Sequence, residues 1–220
     1  MFADSLKQMF KDNDDPIWRG KLAVFVFKER FGYEEFTNSN QKRETPREII
    51  GHASVSPTME EAFIALQDVG DSSSESSPGM QVNVIDQVTG AYLKRNGQLP
   101  EWLTRGTGLA LAHQKAASNP YLASMSKLAS KSLQDLFANE PNVIFDEGTF
   151  PSAEVGPVGC TMVEFLLKRG NPVQFGQFVQ KVQGGATVES AVKAIYRMDT
   201  KSLALAYANS LPSSGKKGKK

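Results

Sequence analysis

Apolar residues recur at helical spacing through almost the whole second half of the chain. The residues Phe175, Phe178, Val179 and Val182 have the i, i+3, i+4, i+7 spacing of one helix face, and the pair at 184–185 is typical of a C-terminal glycine cap. Similar stripes predict four more helices, around 122–137, 158–166, 188–195 and 203–211. Amphipathic helices bury their apolar faces against one another, so this half predicts a helical core.

The first half has a different pattern. The run from Lys21 to Lys28 is rich in β-branched and aromatic residues, which predicts a buried strand. The segment 31–36 predicts a helix or a turn packed on that strand, and the short alternating segment 52–56 predicts a second strand. The segment 60–69 is compatible with a helix or with an irregular connection. Together these patterns predict the α+β class, with a small N-terminal sheet and a mainly helical C-terminal half.

Two predicted helices connect the halves. Ser77 and Pro78 fit an N-cap and a first helical position, and they follow a polar segment, 71–79, that is typical of a mobile surface loop. That helix should end near 96–97, and a second helix is predicted from 101 to 115.

The chain is therefore expected to have four parts. They are an N-terminal helix and linker (1–20), a sheet with the two central helices (21–115), a helical subdomain (116–211) and a disordered Lys-rich tail (212–220).

The charge balance argues against a nucleic-acid-binding face. Four of the 25 basic residues belong to the tail, at positions 216, 217, 219 and 220, which leaves 21 bases against 24 acids in the body. Nucleic-acid recognition needs Lys and Arg clustered on a folded surface. The tail is interpreted as a solubilising end, with a weak anion-binding arm as the alternative.

The sequence lacks the residue patterns that an internal disulfide, a metal site or a phosphate-binding loop requires. The single Cys160 lies in an apolar setting typical of a core thiol and cannot form an internal disulfide. A metal site would need both His52 and His113, which are 61 positions apart, so structural or exposed roles are favoured. The Gly106-Thr-Gly108 segment lacks the context of a phosphate-binding loop.

The sequence also bears on location. The longest apolar run, 22–27, is too short to cross a bilayer, and the N-terminus carries Asp4 and no apolar signal region. The expectation is a cytoplasmic protein, or an exported one if the true start is missing.

The segment 84–112 has a recognisable frame, in which Pro100 precedes the second predicted helix and Trp102, Leu103 and Gly106 stand on it. This frame resembles the active-site region of gluzincin metallopeptidases of the peptidase MA-like group. There, a helix bearing H-E-x-x-H is followed by P-x-W-L-x-E-G on a second helix. The resemblance extends to the strand at 21–28 and to the C-terminal helices. It implies a zincin-like fold, with a small sheet packed on an active-site-type helix pair, and bacterial relatives that are often exported.

The residues that perform catalysis in that family are replaced here. The two zinc-binding histidine positions hold Asp86 and Gly90, the general-base glutamate position holds Gln87, and the third-ligand glutamate position holds Arg105. Gly90 has no donor atom, Gln87 cannot accept a proton near neutral pH, and Arg105 is a permanent cation. The resemblance therefore implies a relative with no metal, no cofactor and no intact catalytic residue.

Asp86 and Arg105 carry opposite charges at positions that meet at a metal in the family. One possibility is an ion pair across the former site that holds the two helices together. The alternative is that both side chains point into solvent.

Three functions remain open. The first is a pseudo-metallopeptidase scaffold that binds a peptide or protein. The second is a hydrolase with rearranged chemistry, in which Asp86 works with Glu101, Asp146 or Glu147. The third is a weak binder of anionic surfaces or nucleic acid through the tail. Ligand identity and oligomeric state do not follow from the sequence.

Overall fold

Three strands form one small sheet in the computed structural model of the chain. The structure describes residues 2–11, 21–42, 44–56, 58, 61–134, 136 and 140–212. The strands are β1 (Ala23–Phe27), β2 (Gly51–Val55) and β3 (Ala62–Gln67), in the order β1-β3-β2. β3 pairs in parallel with β1 and antiparallel with β2. Both β1 and β2 are therefore edge strands.

The central strand β3 replaces the helix or irregular connection expected at 60–69. Ile64 and Leu66 pack in one cluster with Ala53, while Phe63 packs with the rings of Phe36 and His52 on the other face. A strand buried on both faces reads as a continuous apolar run, and its sequence has no alternation to reveal it.

The strand β1 was predicted correctly in position and wrongly in burial. Val24, Phe25 and Val26 are 54%, 42% and 56% exposed. Phe25 and Phe27 contact the ring of Phe36 on α2 (Arg30–Gln41), which covers part of one face. The expected burial fails because β1 lies at the edge of the sheet and not in its centre.

Helices make up most of the remainder, as the apolar stripes predict. They are α1 (Phe2–Phe10), α3 (Met80–Lys94), α4 (Glu101–Lys115), α5 (Pro120–Leu133), α6 (Ser152–Arg169), α7 (Pro172–Gln183), α8 (Val188–Tyr196) and α9 (Thr200–Ser210), with a 3-10 turn at Pro141–Phe145. The α+β class is confirmed, and α4 has the predicted bounds.

The start of α3 differs from the prediction. Ser77 forms an isolated bridge with Ser74, and the carbonyl oxygen of Pro78 accepts a hydrogen bond from Asn119 Nδ2 at 3.0 Å. Gly79 precedes the helix with φ of 74°, a conformation that glycine adopts without steric cost. The helix therefore begins at Met80 and not at Pro78.

The frame residues are packed in the core. A methyl group at Gly106 would overlap the backbone of Gly159, so this glycine allows α4 and α6 to cross closely. Trp102 donates from Nε1 to the carbonyl oxygen of Phe145 at 3.1 Å, and the two rings lie 5.9 Å apart. Leu103 is fully buried. One continuous apolar cluster extends from α1 to α9.

Two predicted segments, the linker and the tail, have no counterpart in the described part of the chain. The predicted linker at 12–20 and the tail at 213–220 lie outside the described residues. None of the described helices combines the length and apolar character that a bilayer crossing requires.

Candidate functional site

A cleft of about 450 Å³ lies between the edge strand β2, helix α3 and the first turns of α4. The four residues that the gluzincin resemblance singles out, Asp86, Gln87, Gly90 and Arg105, all line it. The structure thus brings together the residues that the sequence singled out.

Helix geometry explains this convergence. Gly90 lies near Thr104, whereas Asp86 lies against Gly108, so α3 and α4 run in opposite directions at this contact. Residues at i and i+4 share a helix face, which aligns Asp86, Gly90 and also Lys94 toward the cleft. Gly108 has a local role: a methyl group there would overlap Asp86.

Asp86 is the most unusual ionisable group in the cleft. Its side chain is buried, with the residue 6% exposed, and its Oδ2 accepts a hydrogen bond from Gln87 Nε2 at 3.1 Å. Burial raises the pKa of this carboxyl from 3.8 to about 6, while the positive charges of Arg105 and Lys94 oppose the shift. Asp86 is thus held in a site that disfavours its charged form.

The predicted ion pair between Asp86 and Arg105 does not form. Arg105 Nη1 instead donates to the carbonyl oxygen of Ser152 at 3.2 Å and lies 4.0 Å from Glu101 Oε1. The guanidinium extends to the start of α6, near Gly156, whereas the Asp86 carboxylate lies against Gly108, about one turn further along α4. The alternative of two solvent-exposed side chains also fails, since the side chain of Arg105 is only 19% exposed.

Gln87 and its neighbours fasten α3 to the start of β2. Gln87 packs against Gly51, where a methyl group would come within 2.8 Å of its Cγ. Asn83 Nδ2 donates to the carbonyl oxygen of Ile50 at 3.1 Å. These buried polar side chains therefore fix β2 beside α3.

Gly90 leaves the centre of the cleft wide. A methyl group at this position would lie 3.6 Å from Thr104 Cγ2 and 3.9 Å from Ala53 Cβ, which are ordinary contacts. The position therefore has room for a methyl group.

The edge of β2 presents backbone groups to the cleft. Gln67 N donates to Ile50 O, and Ser56 N donates to Glu61 O, so residues 50 and 56 face β3. In an antiparallel ladder every second residue bonds to the partner strand, so 52 and 54 face β3 as well. Gly51, Ala53 and Val55 consequently direct their N–H and C=O groups away from β3. Those of Gly51 and Ala53 line the cleft and are available to an extended ligand, except for the carbonyl oxygen of Ala53, which accepts a hydrogen bond from Lys94.

Lys94 is a cleft residue that the sequence analysis missed. Its Nζ donates to the carbonyl oxygen of Ala53 at 2.7 Å, on the free edge of β2. The signal was its spacing, because it stands eight positions after Asp86 and four after Gly90 on the same helix face.

The other proposed acids are distributed unevenly. Glu101 and Glu147 line the cleft, and Glu147 Oε2 accepts from the backbone N–H of Glu101 at 2.8 Å at the start of α4. Asp146 instead borders a smaller cavity beside Trp102. Of the three acids proposed as partners of Asp86, two share its cleft.

The two histidines contact different partners, and the cysteine is buried. His52 is buried with its Nδ1 3.4 Å from the hydroxyl of Tyr33, while His113 Nδ1 lies 2.6 Å from Glu164 Oε1. Cys160 is buried, and burial raises the pKa of its thiol. Within the described ranges, no three His, Cys, Asp or Glu side chains cluster closely enough to hold a metal ion.

No known protein family, curated protein or solved structure matches this chain. The gluzincin resemblance therefore stays a prediction that rests on the frame residues and the cleft.

Proposed function

We propose that this chain is a non-catalytic, peptidase-like domain that binds an extended peptide along the free edge of β2. The observation that carries the proposal is that this edge and the four altered catalytic positions line the same cleft of about 450 Å³. A peptide can extend a sheet by bonding to such an edge, with pockets beside it selecting alternate side chains.

The chemistry of the cleft supports binding over metal-dependent hydrolysis. Water activation by zinc needs three protein ligands and an open coordination position. Gly90 offers no ligand atom, and Arg105 brings a positive charge to the third-ligand position. A peptide lying in this cleft would therefore be held without being cleaved by that route.

The charges in the cleft favour a basic ligand. Its lining includes more acidic than basic side chains: Glu44, Asp86, Glu101 and Glu147 against Lys94 and Arg105. Complementary charge speeds encounter and selects partners, especially at low salt. The ligand is thus proposed to be an extended segment that contains Lys or Arg.

Panning a display library of random peptides on the purified protein tests this proposal. We expect Lys- or Arg-containing peptides to be enriched, and Ala53→Pro to weaken their binding about tenfold or more, because proline removes the N–H that Ala53 directs into the cleft. Fluorescence polarisation with labelled peptides measures the change.

The matched control is Val55→Pro, which removes the next outward N–H of β2 at a residue that does not line the cleft. The N–H groups of both residues point away from β3, so proline removes no ladder hydrogen bond at either position, and circular dichroism will first establish that both variants are folded. An absence of enriched peptides, or equal losses in both variants, would contradict binding along this edge.

A second candidate function is hydrolysis by carboxylates alone. It is favoured by one observation, the pKa of Asp86 near 6 in a cleft that also contains Glu101 and Glu147. Casein turnover that survives a chelator and disappears in Asp86→Asn would support this reaction. Peptide binding without turnover would support the domain as a binder.

A further inference from the structure

Among the described residues, the strand β1 forms the second free edge of the sheet, on the side opposite the cleft. Three consecutive apolar residues, Val24, Phe25 and Val26, are each more than two-fifths exposed there. Phe31, just beyond the strand, is 74% exposed. An apolar edge strand of this kind is a template for pairing with another strand.

The backbone of β1 determines how another strand could pair. The bond from Asp68 N to Phe27 O shows that Phe27 faces β3, and alternate residues of a parallel ladder do the same. Val24 and Val26 therefore direct their N–H and C=O groups outward. An added strand would bond to these two residues.

The sequence around β1 is complementary to itself. In an antiparallel pair with a two-fold axis at Phe25, Val24 lies opposite Val26 of the second copy, so the outward groups meet. The same register places Lys21 opposite Glu29 at both ends of the pair. Axes at Val24 or Val26 also align outward groups, but they place Lys21 opposite Phe27 or Phe31 and leave its charge unmatched.

We propose that two copies of this chain associate through antiparallel pairing of their β1 strands, with the two-fold axis at Phe25. The two sheets of three strands then become one sheet of six. Burial of Val24, Phe25 and Val26 supplies the main driving force. The exposed Lys21–Glu29 pairs contribute little affinity and instead select the register. This association leaves β2 and its cleft free.

Sedimentation equilibrium of the full chain over a range of concentrations tests the proposal. We expect a mass that rises toward twice 24.1 kDa. Val24→Lys should abolish the dimer, since it places a charge in the paired edge, and its fold should survive because Val24 is half-exposed in the monomer.

Charge reversals test the register. Lys21→Glu and Glu29→Lys should each weaken association about tenfold, because like charges then meet at both ends, and the double variant should restore it. Lys127→Glu and Glu35→Lys are matched controls, since both residues are exposed and lie outside β1.

Two results would overturn the proposal. One is a monomer at every concentration, and the other is a dimer that Val24→Lys does not weaken. If Val24→Lys abolishes the dimer but the charge reversals do not change its stability, the register centred on Phe25 would be overturned.

Discussion

Asp86→Asn will stabilise the protein at neutral pH. Burial raises the pKa of the Asp86 carboxyl from 3.8 to about 6, so its ionisation in the folded state costs about 3 kcal/mol more than in the unfolded chain. Asparagine has a similar shape, does not ionise, and can keep an oxygen acceptor for Gln87 Nε2. The free energy of unfolding should rise by about 2–3 kcal/mol at about pH 7.5.

The gain in stability from Asp86→Asn will increase as the pH rises. A carboxyl group with a raised pKa binds more protons in the folded than in the unfolded state between pH 3.8 and about 6. The contribution of Asp86 to stability is therefore fully favourable below pH 3.8 and is lost as the pH rises through about 6. The difference between wild type and Asp86→Asn should be near zero at about pH 4 and largest above pH 7.

Urea unfolding of both proteins across this pH range measures the effect. Asp146→Asn is the matched control, because Asp146 is exposed and its substitution should change stability by less than about 0.5 kcal/mol. An Asp86→Asn variant that is no more stable than wild type at neutral pH would show that Arg105 and Lys94 compensate fully for the burial.

This stability cost bears on function. A carboxylate retained in a buried site that disfavours its charge is typical of a site under functional constraint. Peptide panning on Asp86→Asn then separates two roles. Unchanged binding would indicate that Asp86 lies behind the binding edge, whereas lost binding would place its charge in ligand recognition.

The helices could be predicted from the sequence because their signals are local. The apolar stripe of α7 and the proline before α4 each lie within a few turns of the helix they define. The strand β3 gives no such signal, since both of its faces are buried and its position in the centre of the sheet depends on β1 and β2. The exposure of β1 is likewise a consequence of strand order, which no local pattern encodes.

The sequence predicts four of the residues that line the site, but not the hydrogen bonds that they make. Asp86 and Gly90 share a face of α3 by helix periodicity alone. The position of the Asp86 carboxylate depends on Gly108 of the other helix, where a methyl group would overlap it, while Arg105 bonds to Ser152. The hydrogen bond from Lys94 to Ala53 depends on the packing of α3 against β2, so it could be identified only from the structure.

Placing the gluzincin residues at the four positions that the resemblance singles out should create a zinc site. The combined variant Asp86→His, Gln87→Glu, Gly90→His and Arg105→Glu rebuilds two histidines at i and i+4 with a third ligand on α4. The four positions line one cleft, and a Cβ atom at Gly90 would make only ordinary contacts. We expect one zinc ion per chain by elemental analysis after dialysis, together with a zinc-dependent rise in melting temperature.

The variant that retains Arg105 but carries the other three changes is the matched control. It has the same two histidines, yet it should bind zinc far more weakly, because it lacks the third ligand and keeps a positive charge beside the metal. The imidazole at position 86 must turn from Gly108 toward the cleft, so circular dichroism must first establish that both variants are folded. Equal zinc content in two folded variants would contradict the assignment of Arg105 to the third-ligand position, and no zinc in either would contradict the gluzincin frame itself. Peptide binding along β2 depends on neither result, since the edge groups of Gly51 and Ala53 are the same in every variant.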